Sequence, residues 1–282
     1  MSEDQGVLYI CATPIGNLED VTIRLLKTLR RADLIACEDT RHTLKLLNRY
    51  KIRRPLTSYH QHSRYEKEDY IIGQLLEGKK VALVSDAGMP GISDPGTELV
   101  ARAIACNIKI EVIPGPSAVI SALSLSGMDT TSFIFAGFLP SRRGERQKAI
   151  KALSQEPRTV VLYEAPHRLL DTLTDLREIL GEERTMAVMR EMTKLHESVT
   201  RGTIGEVAAH FEQDRPRGEI TMVIAPYIPP APGEIRLEQV IKEVEELIEQ
   251  GMEKKEAFKM KAREYKISKS TIYKQYFDNI RQ

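Results

Sequence analysis

The chain has 282 residues, of which 41% are hydrophobic and 29% charged, and its formal net charge is +1. This balance is typical of a soluble globular protein of about two domains and excludes a disordered chain. The polar, acidic start is unlike a signal or transit peptide, and no apolar run reaches membrane-spanning length, so we expect a cytoplasmic protein. Three cysteines without CxxC spacing, Cys11, Cys37 and Cys106, are interpreted as buried free thiols.

Apolar runs alternate with helical patterns in the first half of the chain. The predicted strands cover residues 8–12, 33–38, 55–60, 81–84 and 108–114. The predicted helices cover residues 21–32, 43–50, 64–77, 97–107 and 118–126. Asp20 is the expected N-cap of the first helix. Strands that alternate with helices in this way predict a parallel, doubly wound sheet.

Three turn-rich loops each follow one of these strands: TPIGN (13–17), SDAGMPGISDPG (85–96) and PGPSA (114–118). We expect them to meet at the carboxyl edge of one sheet, where α/β proteins bind ligands. Ser117 begins a helix whose free N–H groups suit a carboxylate or another polar oxygen. The sequence has no GxxxxGK[ST] and no GxGxxG after the first strand, which counts against a P-loop or an ordinary dinucleotide fold. His60 and His62 lack a third ligand nearby, so no metal site is expected.

The second half has more varied connections and predicts a mixed sheet. Its predicted strands cover residues 133–140, 159–166, 187–192 and 219–226, and its predicted helices cover 145–153, 167–180 and 204–211. The proline-rich YIPPAPGE indicates a linker. The predicted organisation is therefore an α/β domain at 1–127, a second α/β domain at 128–227, a linker at 228–235 and a helical tail at 236–282.

The tail has segregated charges. Residues 236–253 contain two Lys or Arg against six Asp or Glu, whereas residues 254–282 contain nine against three. Residues 254–264, the turn YKIS, and a helix that Ser268 or Ser270 caps match a helix-turn-helix in length. Two interpretations stay open, a helical cap with a solvated basic face and a nucleic-acid contact in which Lys and Arg neutralise phosphates.

Seven motifs in order carry a resemblance to a known family. They are LYICATPIGNLED, ADLIACEDTRHT, TSYHQHSR, VALVSDAGMPGISDPG, VIPGPSA, GFLP and VLYEAPHR. In this order they resemble the bacterial small-subunit ribosomal RNA ribose methyltransferases of the tetrapyrrole methylase superfamily, from about residue 6 to 226. The resemblance implies a two-domain methylase fold with a helical tail, a homodimer, and S-adenosylmethionine as methyl donor in the cleft between domains. It also implies 2′-O-methylation of a cytidine ribose in the decoding region of 16S rRNA.

The resemblance also suggests positions for the donor site. The residues that match donor-binding positions of the superfamily, with their immediate neighbours, are Pro14, Ser85, Asp86, Ala87, Met89, Ser117, Ala118, Tyr163, Glu164, Glu191 and Met192. Porphyrin-modifying members have GGDP where this chain has VSDA, which counts against a tetrapyrrole substrate. Asp86 is interpreted as a hydrogen-bond acceptor for the donor or as a cap of its own loop.

The ribose hydroxyl is a poor nucleophile until its proton is removed, so a general base is expected. Its candidates are Glu38, Asp39, His60, Glu164 and His167, and the resemblance does not choose among them. The residues predicted to contact RNA phosphates are Arg41, Arg142, Arg143, Arg146, Arg168, Lys269 and Lys274. Two other functions stay open, methylation of a small molecule or protein by a member of the same superfamily, and a non-catalytic RNA-binding assembly factor.

Overall fold

Five short apolar runs in the first half of the chain form a parallel sheet. A computed structural model describes residues 6–60, 64–214, 217–229, 237–265 and 267–280. The strands are β1 (Val7–Cys11), β2 (Leu34–Cys37), β3 (Leu56–Ser58), β4 (Lys80–Val84) and β5 (Lys109–Ile113). They stand in the order β3-β2-β4-β1-β5, and every pairing is parallel. The predicted parallel sheet is confirmed.

Helices cover both faces of this first sheet because successive strand residues point to opposite sides. The helices are α1 (Ile23–Arg31), α2 (Thr40–Arg49), α3 (Arg64–Leu76), α4 (Thr97–Ala105) and α5 (Ala118–Ser126). On one face Leu83 packs in a core with Leu75 and Leu99, from α3 and α4. On the other face Val84 packs in a core with Leu25 of α1. The sheet is therefore doubly wound, as predicted.

The second half forms a mixed sheet, which confirms the second part of the fold prediction. Its strands are β6 (Phe133–Phe138), β7 (Thr159–Glu164), β8 (Thr185–Arg190), β9 (Ser198–Thr203) and β10 (Ile220–Ile224). They stand in the order β6-β7-β10-β8-β9, with β6 and β7 parallel and the other pairs antiparallel. The helices that follow these strands are α6 (Arg143–Ala152), α7 (Leu169–Leu180) and α8 (Ile204–Gln213).

The two faces of the second sheet have different partners. Helices α6, α7 and α8 bury one face in a large apolar core. The opposite face packs against α5, where Val119 and Leu123 join Val161 and Val223 in one cluster. Ile15, from the loop after β1, belongs to the same cluster. Helix α5 and the first loop thus connect the parallel sheet to the mixed sheet and place the carboxyl edge of the first beside the second.

Two local predictions are wrong, and one strand has no counterpart among the predicted elements. The N-cap of α1 is Thr22, whose hydroxyl accepts from the Leu25 N–H at 3.0 Å, because Asp20 belongs to a short 3-10 helix one turn earlier. Strand β9 was not predicted, since its sequence SVTRGT has one apolar residue and it is an edge strand held by its backbone pairing with β8. Cys106 is exposed, whereas the free thiols of Cys11 and Cys37 are buried as expected.

The helical tail has a small core of its own. The chain divides into two compact units, Met1–Tyr227 and Ile228–Gln282. The second contains α9 (Leu237–Glu249), α10 (Lys254–Glu264) and α11 (Lys269–Ile280), packed around Phe258, Val240 and Ile272. The Ser268 hydroxyl accepts from the Thr271 N–H at 3.1 Å, as its predicted capping role requires. No helix in the described ranges is long and apolar enough to cross a membrane.

Candidate active site

The loop after β1 and the loop after β4 are cross-linked at the carboxyl edge of the first sheet. The Thr13 N–H donates to the Gly88 carbonyl at 2.9 Å, and the Gly88 N–H donates to the Thr13 carbonyl at 3.1 Å. The Thr13 hydroxyl donates to the Ser85 carbonyl at 3.1 Å, and the buried Ser85 hydroxyl donates to the Gly88 carbonyl at 3.2 Å. Gly88 has φ +78°, a conformation that favours glycine. These bonds fix the loop that follows β4.

A cavity of about 370 Å³ opens between this edge and the second sheet. Its volume lies in the range of roughly 300–1,000 Å³ that is usual for small-molecule sites. The predicted site residues that line it are Ala87, Met89, Ser117, Ala118, Tyr163, Glu164 and Met192. Lining residues that sequence reasoning missed include Ile15, Ser93, Asp94, Phe138, Glu219 and Thr221. Asp94 and Ser93 belong to the turn-rich stretch that pointed to a ligand loop, whereas nothing in the apolar strand pattern around Thr221 marks it as a lining residue.

Helix α5 begins at the cavity. Its N-cap Ser117 makes no capping hydrogen bond, so the side chain does not satisfy the first-turn N–H groups. Val119, in the first turn of this helix, packs beside the Tyr163 side chain of β7. Burial raises the pKa of Tyr163 to about 12, and the nearby Asp94 carboxylate adds to the increase. A helix N-terminus and a neutral phenol therefore stand together in the lining.

Four predicted donor-site residues lie outside the cavity lining. Pro14 and Ser85 are buried. Asp86 points toward α2, where its Oδ1 accepts from the Asp39 N–H at 3.1 Å and its Oδ2 lies 3.9 Å from His42 Nδ1. The sequence suggested Asp86 as a donor ligand or as a cap of its own loop, whereas these contacts join its loop to the start of α2.

Glu191 is the fourth predicted donor-site residue outside the lining, and it joins the segment after β8 to the start of β10. Its Oε1 accepts from the Glu219 N–H at 2.8 Å and lies 2.9 Å from Lys194 Nζ. Burial opposes ionisation, but these hydrogen bonds and the lysine outweigh it and lower the pKa of Glu191. Met192, the next residue, lines the cavity.

The candidates for a general base occupy different environments. Glu164 lines the cavity but is fully buried, and its Oε2 accepts from the Thr172 hydroxyl at 2.6 Å while its Oε1 accepts from the Ala165 N–H at 2.8 Å. Asp39 caps α2, and its hydrogen bonds with Arg41 lower its pKa to about 2. Glu38 lies outside the cavity lining, and burial together with Asp86 raises its pKa.

The two histidine candidates also lie outside the lining. His60 is half-buried beside Glu38 and partly offsets the rise in the pKa of that carboxyl. His167 is exposed in the 3-10 turn Pro166–Arg168. No group of three or more His, Cys, Asp or Glu side chains in the described part of the chain is arranged to hold a metal ion.

The arginines predicted to contact RNA differ in solvent exposure and in their partners within the protein. Arg41 and Arg142 are exposed, with side-chain exposures of 87% and 83%. Arg143 donates to Asp175 and Glu178, and the buried Arg146 is paired to the same Asp175 at 2.7 Å. Arg168 donates to the Leu139 and Pro140 carbonyls and lies 3.4 Å from Glu164, so it holds the loop after β6. Lys269 and Lys274 lie on α11 in the second unit.

Comparison with known proteins places the chain in a family. The model of the Tetrapyrrole (Corrin/Porphyrin) Methylases matches residues 7–208. The chain therefore belongs to this methylase family and is a methyltransferase, which confirms the resemblance stated from the motifs. Membership implies S-adenosylmethionine as the methyl donor.

The similar sequences share one name. "Ribosomal RNA small subunit methyltransferase I" of Synechocystis is 47% identical over 268 residues, which cover 95% of this chain and 96% of the relative. The protein of the same name from Thermotoga maritima is 51% identical over 220 residues, 78% of this chain and 98% of the relative.

Solved structures support the fold alone. Cobalt precorrin-4 methyltransferase has a TM-score of 0.60 at 18% identity and covers 79% of this chain and 95% of its own. Diphthine synthase has a TM-score of 0.59 at 13% identity and covers 78% of this chain and 90% of its own.

Proposed function

We propose that this chain transfers a methyl group from S-adenosylmethionine to the 2′-hydroxyl of a cytidine ribose in the decoding region of 16S rRNA. The observation that carries the proposal is the cavity at the carboxyl edge of a parallel sheet, in a chain whose relatives are named for methylation of small-subunit ribosomal RNA. The finer target, a cytidine 2′-oxygen, rests on the resemblance of the motifs and is part of the proposal.

The lining has the chemistry that this donor needs. Ile15, Met89 and Met192 offer apolar surface to an adenine ring. The open N-terminus of α5 suits the carboxylate of the donor, since free N–H groups and the helix dipole favour negative charge. Acidic side chains such as Glu219 suit its ammonium and sulfonium groups. The predicted donor-site residues outside the lining, Pro14, Ser85, Asp86 and Glu191, support the loops that form these walls.

The bound sulfonium supplies an activated methyl group, so the protein has to position the ribose oxygen in line with it. Positioning of this kind contributes up to about 7–11 kcal/mol of barrier reduction in favourable systems. The loops after β1 and β4 are hydrogen-bonded to each other and so provide a rigid surface for this positioning. Arg41 and Arg142 are the residues we assign to phosphate contacts near the cleft. Their pairs with Asp39 and Glu145 lie at the surface, whereas Arg143 pairs with the buried Asp175 and Arg168 is itself largely buried beside Glu164.

We also propose a homodimer that acts on ribosomal RNA in the bacterial cytoplasm, with residues 236–282 as an RNA-docking element. The predicted domain boundary at 127/128 and the linker at 228–235 belong to this proposal. The basic residues of the tail, among them Lys269 and Lys274, would then neutralise phosphates and make binding salt-dependent.

The test is methyl transfer to small ribosomal subunits that lack the modification. Incubation with donor labelled in the methyl group should place the label on a single ribose of 16S rRNA, and nuclease mapping should locate it at a cytidine 2′-oxygen. Absence of transfer to any ribosomal RNA contradicts the proposal. Label on a base or on another nucleotide contradicts the finer target alone.

Two alanine-to-leucine variants test whether the cavity binds the donor. Ala118→Leu adds three carbons at a residue that lines the cavity, so we expect lost donor binding and lost transfer. Ala105→Leu makes the same change at an exposed position of α4 and should leave both unchanged. Equal behaviour of the two variants contradicts the assignment of the cavity to the donor.

A further inference from the structure

One carboxylate in the cavity lining stands on a conformationally restricted stretch of backbone. Asp94 lies between Ser93, which has φ +63° in the left-handed region, and Pro95, whose ring restricts the conformation of the residue before it. The side chain lines the cavity from the loop after β4 and is half-buried. Among the described residues, no Lys, Arg or His forms an ion pair with it, so the carboxylate is available to a substrate.

We propose that Asp94 is the general base of the methyl transfer, an inference that rests on the proposed function. The Asp94 carboxylate accepts the proton of the ribose 2′-hydroxyl while an oxygen lone pair forms the new bond to the methyl carbon. The electron pair of the broken carbon–sulfur bond stays on sulfur, which becomes a neutral thioether. Asp94 then releases its proton to solvent.

The surroundings of Asp94 suit a base that works at neutral pH. Burial is the main cause that raises its pKa, to about 6, and the carboxylates of Glu38 and Asp86, at the ends of β2 and β4, add to the increase. The Ser85 hydroxyl partly offsets it, and Tyr163 faces Asp94 from β7. A carboxylate with this pKa is ionised at pH 7.5 and binds a proton more tightly than an ordinary aspartate does.

The other acids near the cavity are less suited to accept a proton. Glu164 is enclosed by Thr172, the Ala165 N–H and Arg168. Glu219 is already paired with Lys194, whose Nζ lies 3.1 Å from its carboxylate. Asp39 has a pKa of about 2 and lies outside the lining. Asp94 combines a place in the lining, a restricted backbone and a raised pKa.

The experiment compares Asp94→Asn with Asp171→Asn, which makes the same change at an exposed position of α7. Single-turnover transfer to unmodified small subunits is measured from pH 5 to pH 9, together with donor affinity. The wild-type rate should rise with a midpoint near pH 6. D94N should be about 10²–10⁴-fold slower at neutral pH, without that rise and with an unchanged donor Kd. D171N should behave as wild type.

Each other outcome overturns the proposal. A D94N rate within a few-fold of wild type, or one that keeps the rise near pH 6, assigns the base elsewhere. Loss of donor affinity by the same factor as the rate makes Asp94 a donor ligand. Wild-type protein that binds donor but transfers nothing to ribosomal RNA shows instead that the proposed function has failed, and the inference fails with it.

A measurement on the free protein is independent of turnover. The carbonyl stretch of a protonated carboxyl, seen by infrared difference spectroscopy of wild type minus D94N, should titrate with a midpoint near pH 6. A midpoint near pH 4, the ordinary value for an aspartate, contradicts the role that we assign to Asp94.

Discussion

Glu164 is a buried carboxylate whose oxygens are both used inside the protein. The Thr172 hydroxyl donates to one oxygen at 2.6 Å, while the Ala165 N–H donates to the other and Arg168 lies beside it. A buried charge costs free energy unless such groups compensate it. The cavity touches Glu164, but these partners direct the carboxylate toward β7, its following turn and α7. Its first role is therefore to join these elements behind the cleft.

Replacement of Thr172 by valine tests this role. Thr172→Val keeps the shape of a fully buried side chain but removes the hydroxyl that donates to Glu164. A hydrogen bond to a charged group is worth about 1.5–3 kcal/mol, so we expect the free energy of unfolding to fall by that amount. Urea denaturation measures it as a lower midpoint at an unchanged m-value.

The matched control is Thr174→Val on the same helix. The Thr174 hydroxyl donates to the Leu170 carbonyl, which lies four residues earlier in α7. We expect its effect to stay within about 0.5 kcal/mol. If T172V unfolds at the wild-type midpoint, the carboxyl of Glu164 does not depend on this hydrogen bond.

At the scale of elements, the cleft depends on close approach between the first loop and the segment after β8. A Cβ on Gly16 would lie 2.6 Å from Lys194 Cγ, 2.7 Å from Thr193 Oγ1 and 2.9 Å from the Met192 carbonyl oxygen. The last of these is backbone and has little freedom to move aside. Because Ile15 and Met192 both line the cavity, this contact sets the distance between two of its walls.

Gly16→Ala should therefore affect both stability and binding. We expect a loss of about 1–3 kcal/mol in the free energy of unfolding, as for other overpacked contacts. Displacement of Met192 should also weaken donor binding by about tenfold, which corresponds to about 1.4 kcal/mol. Urea denaturation and titration calorimetry with the donor measure the two effects.

Gly73→Ala is the control for this substitution. Gly73 lies inside α3, and a Cβ there would meet nothing within 4 Å. Alanine in a helix interior is favoured over glycine by about 0.5–1 kcal/mol, so G73A should be neutral or stabilising and should leave donor binding unchanged. Wild-type donor affinity in G16A would show that the two walls adjust independently of this contact.

The sequence predicted elements well where apolar periodicity and glycine-rich turns coincide. The five strands of the parallel sheet and the three loops at its edge follow from such patterns. Strand β9 was missed because an edge strand held by backbone pairing needs few apolar residues. The Asp86 side chain bonds to the start of α2, and Thr221 lines the cavity. Both features depend on tertiary packing, which a local sequence pattern does not contain.

At the scale of the whole molecule, the basic residues of the tail are concentrated in its last two helices. Residues 254–282 contain nine Lys or Arg, although the full chain has a net charge of only +1. On these helices Lys274 is exposed, and Lys269 Nζ lies 5.4 Å from the centre of the Tyr273 ring. A local excess of positive charge beside aromatic rings suits a nucleic-acid surface, where phosphates and bases are contacted together.

Paired alanine substitutions on α11 test whether this surface binds RNA. The double variant Lys269→Ala, Lys274→Ala should bind small-subunit RNA more weakly, because two phosphate contacts are lost. The slope of log affinity against log salt should fall by about 1.5–2. Filter binding over a range of salt concentrations measures both quantities. Donor affinity should not change, since the cavity lies among residues of the first unit.

Lys242→Ala provides the comparison, because Lys242 is exposed on the acidic helix α9 of the same unit. Its removal lowers the positive charge of the tail without touching α11, so the RNA affinity and the salt slope should stay close to wild type. If K242A lowers the logarithm of the RNA affinity by half as much as the double variant does, one charge against two, the tail acts through net charge alone. If the double variant binds RNA as the wild type does, α11 carries a solvated basic face, and the RNA contacts belong to the arginines around the cleft.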